Sequence, residues 1–187
     1  MKDPFFFGYG SLVNRATHSF PQATRAVAPG WGRTWKRTRL REVAFLTAVE
    51  RPGAQIEGLI AAVPGADWAE LDAREWAYHR LPAGAVEHAH GGDLDIQIYR
   101  TKPEHDADGS EAHPILLSYL DTVVQGYLNE FGIAGALRFF ETTEGWESPV
   151  LDDRAAPRYP RAQHLEAVEL DFVDAQLRNL GCRRIGA

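Results

Sequence analysis

A chain of 187 residues with 44% apolar and 25% charged side chains has material for one compact core, not for two full domains. A net charge of −6 argues against a broad nucleic-acid-binding surface, and a single cysteine, Cys182, excludes an internal disulfide. No apolar run approaches the roughly 18 residues of a membrane span, and Met1–Pro4 opens without a signal-peptide stretch. The expectation is a cytoplasmic protein without nucleic-acid or membrane partners.

Phe5-Phe6-Phe7-Gly8-Tyr9 is apolar on both faces, as a central strand must be, and Gly10-Ser11 breaks it. Thr24–Val27 and Thr34–Arg37 read as short strands parted by the turn residues Pro29-Gly30-Trp31-Gly32. The basic run Arg33–Arg41 reads as a solvated strand or loop. A hairpin is expected next, from Ala44–Val49 through the turn Arg51-Pro52-Gly53-Ala54 into Gln55–Val63. Asp67 and Glu70 have the spacing of a capping box, which predicts a helix from about Trp68 to His79, ending before Pro82. Strands follow at Val86–Ala89 and Leu94–Tyr99, then an exposed polar loop over Pro103–Pro114.

The last third is helical in pattern. Ile115, Leu116, Tyr119, Leu120, Val123, Val124, Tyr127 and Leu128 recur at helical spacing, ending near Gly132. A second helix is expected over Ala134–Thr142 and a third ending at Gly181. Between them Trp146–Pro160 crosses the surface as an extended segment, either a lid over a pocket or a strap that only stabilises. The outline is α+β: a small, mostly antiparallel β-barrel or curved sheet with an inserted helix (about 1–102), followed by a helical cap (about 113–187), in one domain.

Two features carry chemistry. Trp68, Leu71, Glu75 and Tyr78 share one face of the predicted helix, and Glu75 is the carboxylate in an otherwise apolar stripe. Burial raises a carboxyl's pKa toward the range useful for proton transfer, so Glu75 is a candidate acid/base. The competing reading is a structural ion pair with Arg74 or Arg80. The second feature is the loop Gly8-Tyr9-Gly10-Ser11-Leu12, whose glycines leave backbone N–H groups able to cradle an anion. It has neither the spacing of a phosphate-binding loop nor that of a serine-hydrolase elbow. A tight strand exit is its bland alternative. His88 and His90 share a strand face, but a metal needs further ligands of suitable type. No metal or other cofactor is expected, and Cys182 has no histidine base beside it.

Together, Phe7-Gly8-Tyr9-Gly10-Ser11-Leu12 and Leu71-Asp72-Ala73-Arg74-Glu75-Trp76-Ala77-Tyr78 resemble the two motifs of the γ-glutamylcyclotransferase superfamily, closest to its ChaC-like branch. Ala26–Phe45 and Ile56-Glu57-Gly58-Leu59-Ile60 are similar to the segments between them, so the resemblance covers about residues 5–100. Val13-Asn14 and Ala77 depart from the branch, which usually has an apolar residue and tryptophan, and often glycine, there. The resemblance implies a small barrel with a pocket at its mouth, with Gly8–Leu12 binding the γ-glutamyl group and Glu75 handling protons. It implies a small-molecule γ-glutamyl substrate and release of 5-oxoproline. A non-catalytic small-molecule-binding module on the same fold is the alternative.

Overall fold

The computed structural model describes residues 2–107 and 113–186. Its strands are β1 (Phe5–Gly8), β2 (Thr24–Thr38), β3 (Arg41–Ala62), β4 (Tyr78–Pro82), β5 (Glu87–His88), β6 (Ile96–Thr101), β7 (Ile115–Leu116), β8 (Thr143–Glu144), β9 (Val150–Asp152) and β10 (Arg184–Gly186). Its helices are α1 (Ala69–Arg74), α2 (Leu117–Thr142) and α3 (Ala167–Asn179). The main sheet runs β4-β6-β1-β3-β2-β5, with β8 added beside β2, while β10-β9-β7 form a small second sheet. Pairing in the main sheet is antiparallel except for β1 with β6 and β2 with β8. The sheet is an open path from β4 to β5, so the expected barrel does not close.

β1 is central, between β3 and β6, and both its faces are buried. Phe5 and Phe7 enter the main core with Trp31, Leu46, Val124 and Tyr127, while Phe6 joins a second cluster with Leu12, Leu71 and Tyr99. Each such side chain contributes on the order of 1.5–3 kcal/mol by leaving water.

The expected hairpin over Ala44–Val63 is not formed. β2 and β3 instead make one long hairpin that reverses at Arg39-Leu40, and their register runs from Thr24↔Ile60 to Thr38↔Arg41. Both presumed turns lie opposite each other at one irregularity, where Pro29 pairs with Gln55 but Trp31 pairs with Glu50. Arg51–Ala54, four residues opposite the single Gly30, are thus absorbed as a bulge rather than a reversal.

The basic run departs from its solvated reading at Arg33, while Lys36 and Arg37 are half-buried and Arg39 and Arg41 exposed. Arg33 is only 1% exposed; its guanidinium bonds Tyr127 Oη and, at 2.8 Å, Thr142 Oγ1, and lies over the Tyr127 and Phe139 rings. Aromatic faces and hydroxyls offset part of the cost of burying that charge.

α1 is shorter than expected because the chain after it is taken by sheet pairing. Arg74 is its last residue, Glu75 caps it at φ −97° and ψ 31°, and Tyr78 already pairs with Thr101 of β6. Asp67 Oδ1 accepts the Ala69 N–H at 3.1 Å, but Trp68, not Asp67, is the N-cap of α1, and it makes no side-chain cap bond of the kind the expected box requires. The flanking strands are trimmed to Glu87–His88 and shifted to Ile96–Thr101. In the polar segment, Pro103–His105 form a short helical turn and Thr38 bridges Asp106, whereas 108–112 lie outside the described residues.

α2 contains both expected helices, joined across Gly132, whose φ of 67° and ψ of −172° break the helical path. Its apolar side, with Leu120, Val123, Val124 and Tyr127, belongs to the main core. Its polar side is covered too. Asp153 accepts the Ser118 N–H at 2.8 Å and the Ser118 hydroxyl at 2.6 Å, satisfying a free amide of the first turn. Arg154 bridges Asp121 and Asp174. The segment after α2 is thereby tied along the helix. α3 ends at Asn179, two residues short of Gly181, and the Gly181 and Cys182 N–H groups reach back to the Arg178 and Leu177 carbonyls. Among the described residues, no helix is long and apolar enough to cross a membrane.

Candidate active site

Arg74 organises the meeting of the two motifs. It donates to Thr17 O at 2.8 Å, to Thr17 Oγ1 at 3.1 Å and to Ser11 Oγ at 3.1 Å, so the end of α1 is stitched to the loop after β1. Its Nε also lies 3.2 Å from Glu75 Oε1. The ion pair expected under the structural reading of Glu75 therefore exists, and the same arginine carries Glu75 to the loop.

The Glu75 side chain is 16% exposed and lines a cavity of about 310 Å³. Burial pushes its carboxyl above the ordinary 4.5, opposed by the positive charges of Arg74 and Arg161. The cavity opens between the start of β3, the end of α1 and the segment after β9, with Arg41, Trp76 and Arg161 on its walls. A smaller recess of about 30 Å³ takes Gly8–Leu12 as its wall and shares Ser11, Leu46, Glu75, Tyr78 and Tyr119 with the larger cavity. The structure thus brings every sequence-predicted site residue to this pair of spaces: Gly8, Tyr9, Gly10, Ser11 and Leu12 around the recess, with Glu75 in both.

A ring of phenols surrounds the carboxyl. Tyr9 Oη donates to Tyr99 O at 2.6 Å, and Tyr78 Oη donates to Leu46 O at 2.9 Å. The Tyr119 ring packs edge-on against Tyr159 at 5.0 Å, and a Cβ on Gly10 would stand 2.6 Å from Tyr119 Oη. Burial raises the pKa of Tyr9, Tyr78 and Tyr119, and the neighbouring Glu75 charge adds to each shift. These phenols stay protonated at neutral pH and present hydroxyls, not charges, to whatever occupies the recess.

Three of these residues lay outside the sequence reading of the site. Tyr119 was counted only in the apolar stripe of α2; its hydroxyl was the one signal that the stripe faced something polar. Arg41 closed a basic run read as solvated, yet its guanidinium lies 5.5 Å from the Trp76 ring centre at the cavity wall. Arg161 lies just past the extended segment, 86 positions from Glu75, a proximity that no local pattern encodes.

The departure at Asn14 has a physical reason. Asn14 Nδ2 donates to Thr122 O at 2.9 Å and to Gln125 Oε1 at 3.0 Å, so it fastens the loop to α2. His88 and His90 approach with ring centres 6.1 Å apart, and among the described residues no cluster of three His, Cys, Asp or Glu side chains suits a metal ion.

The family model described as γ-glutamyl cyclotransferase, AIG2-like, matches residues 6–119, which include both motifs and Tyr119. No curated protein matches the chain. Among solved structures, YkqA from Bacillus subtilis is similar at 19% identity and TM-score 0.57, over 75% of this chain. This chain spans only about half of that protein, 54% of its length. A γ-glutamyl cyclotransferase is similar at 12% identity and TM-score 0.55, over 93% of this chain and 99% of that one. An uncharacterized protein from Homo sapiens gives 13% identity, TM-score 0.55 and the same coverage. At such identities the likeness is one of fold.

Proposed function

Since the chain belongs to the AIG2-like γ-glutamyl cyclotransferase family, we propose that it releases 5-oxoproline from a γ-glutamyl compound, with Glu75 as its acid/base. One observation carries this reading: a desolvated carboxylate stands in the wall shared by the glycine-loop recess and a ligand-sized cavity. In such a substrate the α-amino group reaches its own γ-carbonyl and closes a five-membered ring. The nucleophile is tethered, so holding the chain folded replaces an encounter.

The new N–C bond forms at the carbonyl carbon of the γ-glutamyl amide as that carbon's bond to the departing nitrogen breaks. Two protons leave the attacking nitrogen and two arrive at the departing one. Glu75, as carboxylate, carries one of them from the attacking nitrogen to the departing one, and the other is exchanged with solvent, lost as the ammonium becomes an amine and regained by the released amine. Its raised pKa brings its basicity closer to that of the group it serves, and the Arg74 charge, 3.2 Å away, opposes that rise. Backbone amides of the loop and the Tyr119 hydroxyl are placed to receive charge that develops on the carbonyl oxygen or rests on the α-carboxylate, whereas the Tyr9 and Tyr78 hydroxyls already donate to the Tyr99 and Leu46 carbonyls.

The Arg74–Glu75 pair also favours a second reading, because it satisfies the carboxylate with no reaction to perform. A module of this kind would bind a γ-glutamyl compound and release nothing. The test incubates the protein with a panel of γ-glutamyl compounds, glutathione included, and seeks 5-oxoproline by mass spectrometry, beside Glu75→Gln. Release by the wild type and not by the variant is the expected result. Free glutamate in place of 5-oxoproline would mean that water attacks, and tight binding with neither product would establish the module.

A further inference from the structure

The walls of the main cavity carry three arginines, Arg41, Arg74 and Arg161, against one carboxylate, Glu75. Arg74 is engaged by Glu75, Ser11 and Thr17. Neither Arg41 nor Arg161 has a carboxylate within ion-pair distance among the described residues. That leaves two cationic groups facing a space that an apolar or cationic ligand would leave uncompensated. A γ-glutamyl group brings a single carboxylate, and the loop recess is the place suited to it.

Arg161 is held for use. The turn that presents it is fixed to α2 and to the segment's own base. Arg158 N–H donates to Asp153 Oδ2 at 2.9 Å, Tyr159 N–H to Ser118 Oγ at 3.3 Å, and Gln163 N–H to Thr122 Oγ1 at 3.2 Å. Ala162 N–H closes the turn on Tyr159 O at 3.1 Å. Tyr159 and Pro160 line the cavity beside it. A guanidinium on so anchored a backbone loses little freedom when an anion arrives.

Resting on the cyclotransferase reading, we propose that Arg161, aided by Arg41, reads a carboxylate on the departing half of the substrate. The preferred compounds are then γ-glutamyl amino acids rather than γ-glutamyl amines. This selectivity is built by a segment beyond residues 6–119, the part matched to the family.

Two compounds that differ only in the carboxylate test it: γ-glutamyl-alanine and γ-glutamyl-ethylamide. Loss of a charge-assisted hydrogen bond is worth about 1.5–3 kcal/mol, or roughly a 10- to 100-fold effect. Wild-type kcat/KM should favour γ-glutamyl-alanine by about that factor. Arg161→Gln removes a charge that also acts on Glu75 and so alters turnover of both compounds, but the alanine-to-ethylamide ratio of kcat/KM should fall toward one, and Arg161→Lys should keep part of it. Equal losses on both compounds, an unchanged ratio, would overturn the inference. Calorimetric binding of both compounds to Glu75→Gln reads the preference without chemistry. Selective binding with no 5-oxoproline from the wild type would preserve this inference and remove the proposed function. 5-Oxoproline release without selectivity would do the reverse, and binding of neither compound would overturn both.

Discussion

Gly10→Ala offers a direct test of where Tyr119 stands over the glycine loop. Gly10 has φ −113°, so the cost of a side chain there is set by contact rather than by left-handed backbone. The added Cβ would lie 2.6 Å from Tyr119 Oη but at ordinary distances of 3.5 Å from Leu46 Cδ2 and 3.8 Å from Tyr119 Cζ. One hydroxyl is therefore responsible for the clash. Overpacking of this kind costs about 1–3 kcal/mol, and removing the hydroxyl with Tyr119→Phe should restore most of it. Urea denaturation of the wild type, both single variants and the double variant gives the coupling directly. The coupling energy should be about 1–2 kcal/mol in favour of the double variant, above the few tenths that independent sites show. An Ala at position 10 that costs the same with and without the Tyr119 hydroxyl would refute the placement of α2 over the loop.

Glu75→Gln should raise the melting temperature at pH 7–8, because the folded-state pKa of Glu75 is raised and the stability it lends is complete below 4.5 and lost as pH rises through the folded value. The gain, roughly 2–4 °C per kcal/mol for a chain this size, should shrink toward zero near pH 4 in a thermal series; a gain that grew toward acid would contradict the sign. Asp153→Ala strips acceptors from Ser118 and Arg158 in a buried site and should cost about 2–4 kcal/mol in urea unfolding; a loss below about 0.5 kcal/mol would mean that the segment is not anchored there. Arg33→Lys keeps the charge but loses the fork that reaches Tyr127 and Thr142 together, and should cost about 2 kcal/mol by the same measurement; a neutral result would show that a point charge suffices.

The legibility of this fold in its sequence follows the range of the forces involved. Three successive phenylalanines need two apolar faces, and only a central strand supplies them, so β1 was readable. The periodic stripe of α2 and the glycines near its kink and after α3 are equally local. The Arg39-Leu40 reversal was missed because it uses none of the residues that announce tight turns, while Pro52-Gly53, which does announce one, sits in a bulge. α1 was overextended because Tyr78 fits either a helix face or a strand, and pairing with Thr101 decided in favour of the strand. At the site, Glu75 stood out as a charge in an apolar stripe. Arg33 deceived for the opposite reason, being a charge in a charged run whose rings and hydroxyls come from α2.

The position of β1 between β3 and β6 has a consequence for the order of assembly during synthesis. The glycine-loop motif is made before both partners of its strand, which has no complete set of neighbours until residue 101 has been made. The roof over the loop follows with α2, and Arg161 arrives later still. A nascent chain therefore carries the FGYGSL segment without a complete pocket around it while α2 and the segment bearing Arg161 are still being made, and its three adjacent phenylalanines are the stretch most in need of shelter from premature association.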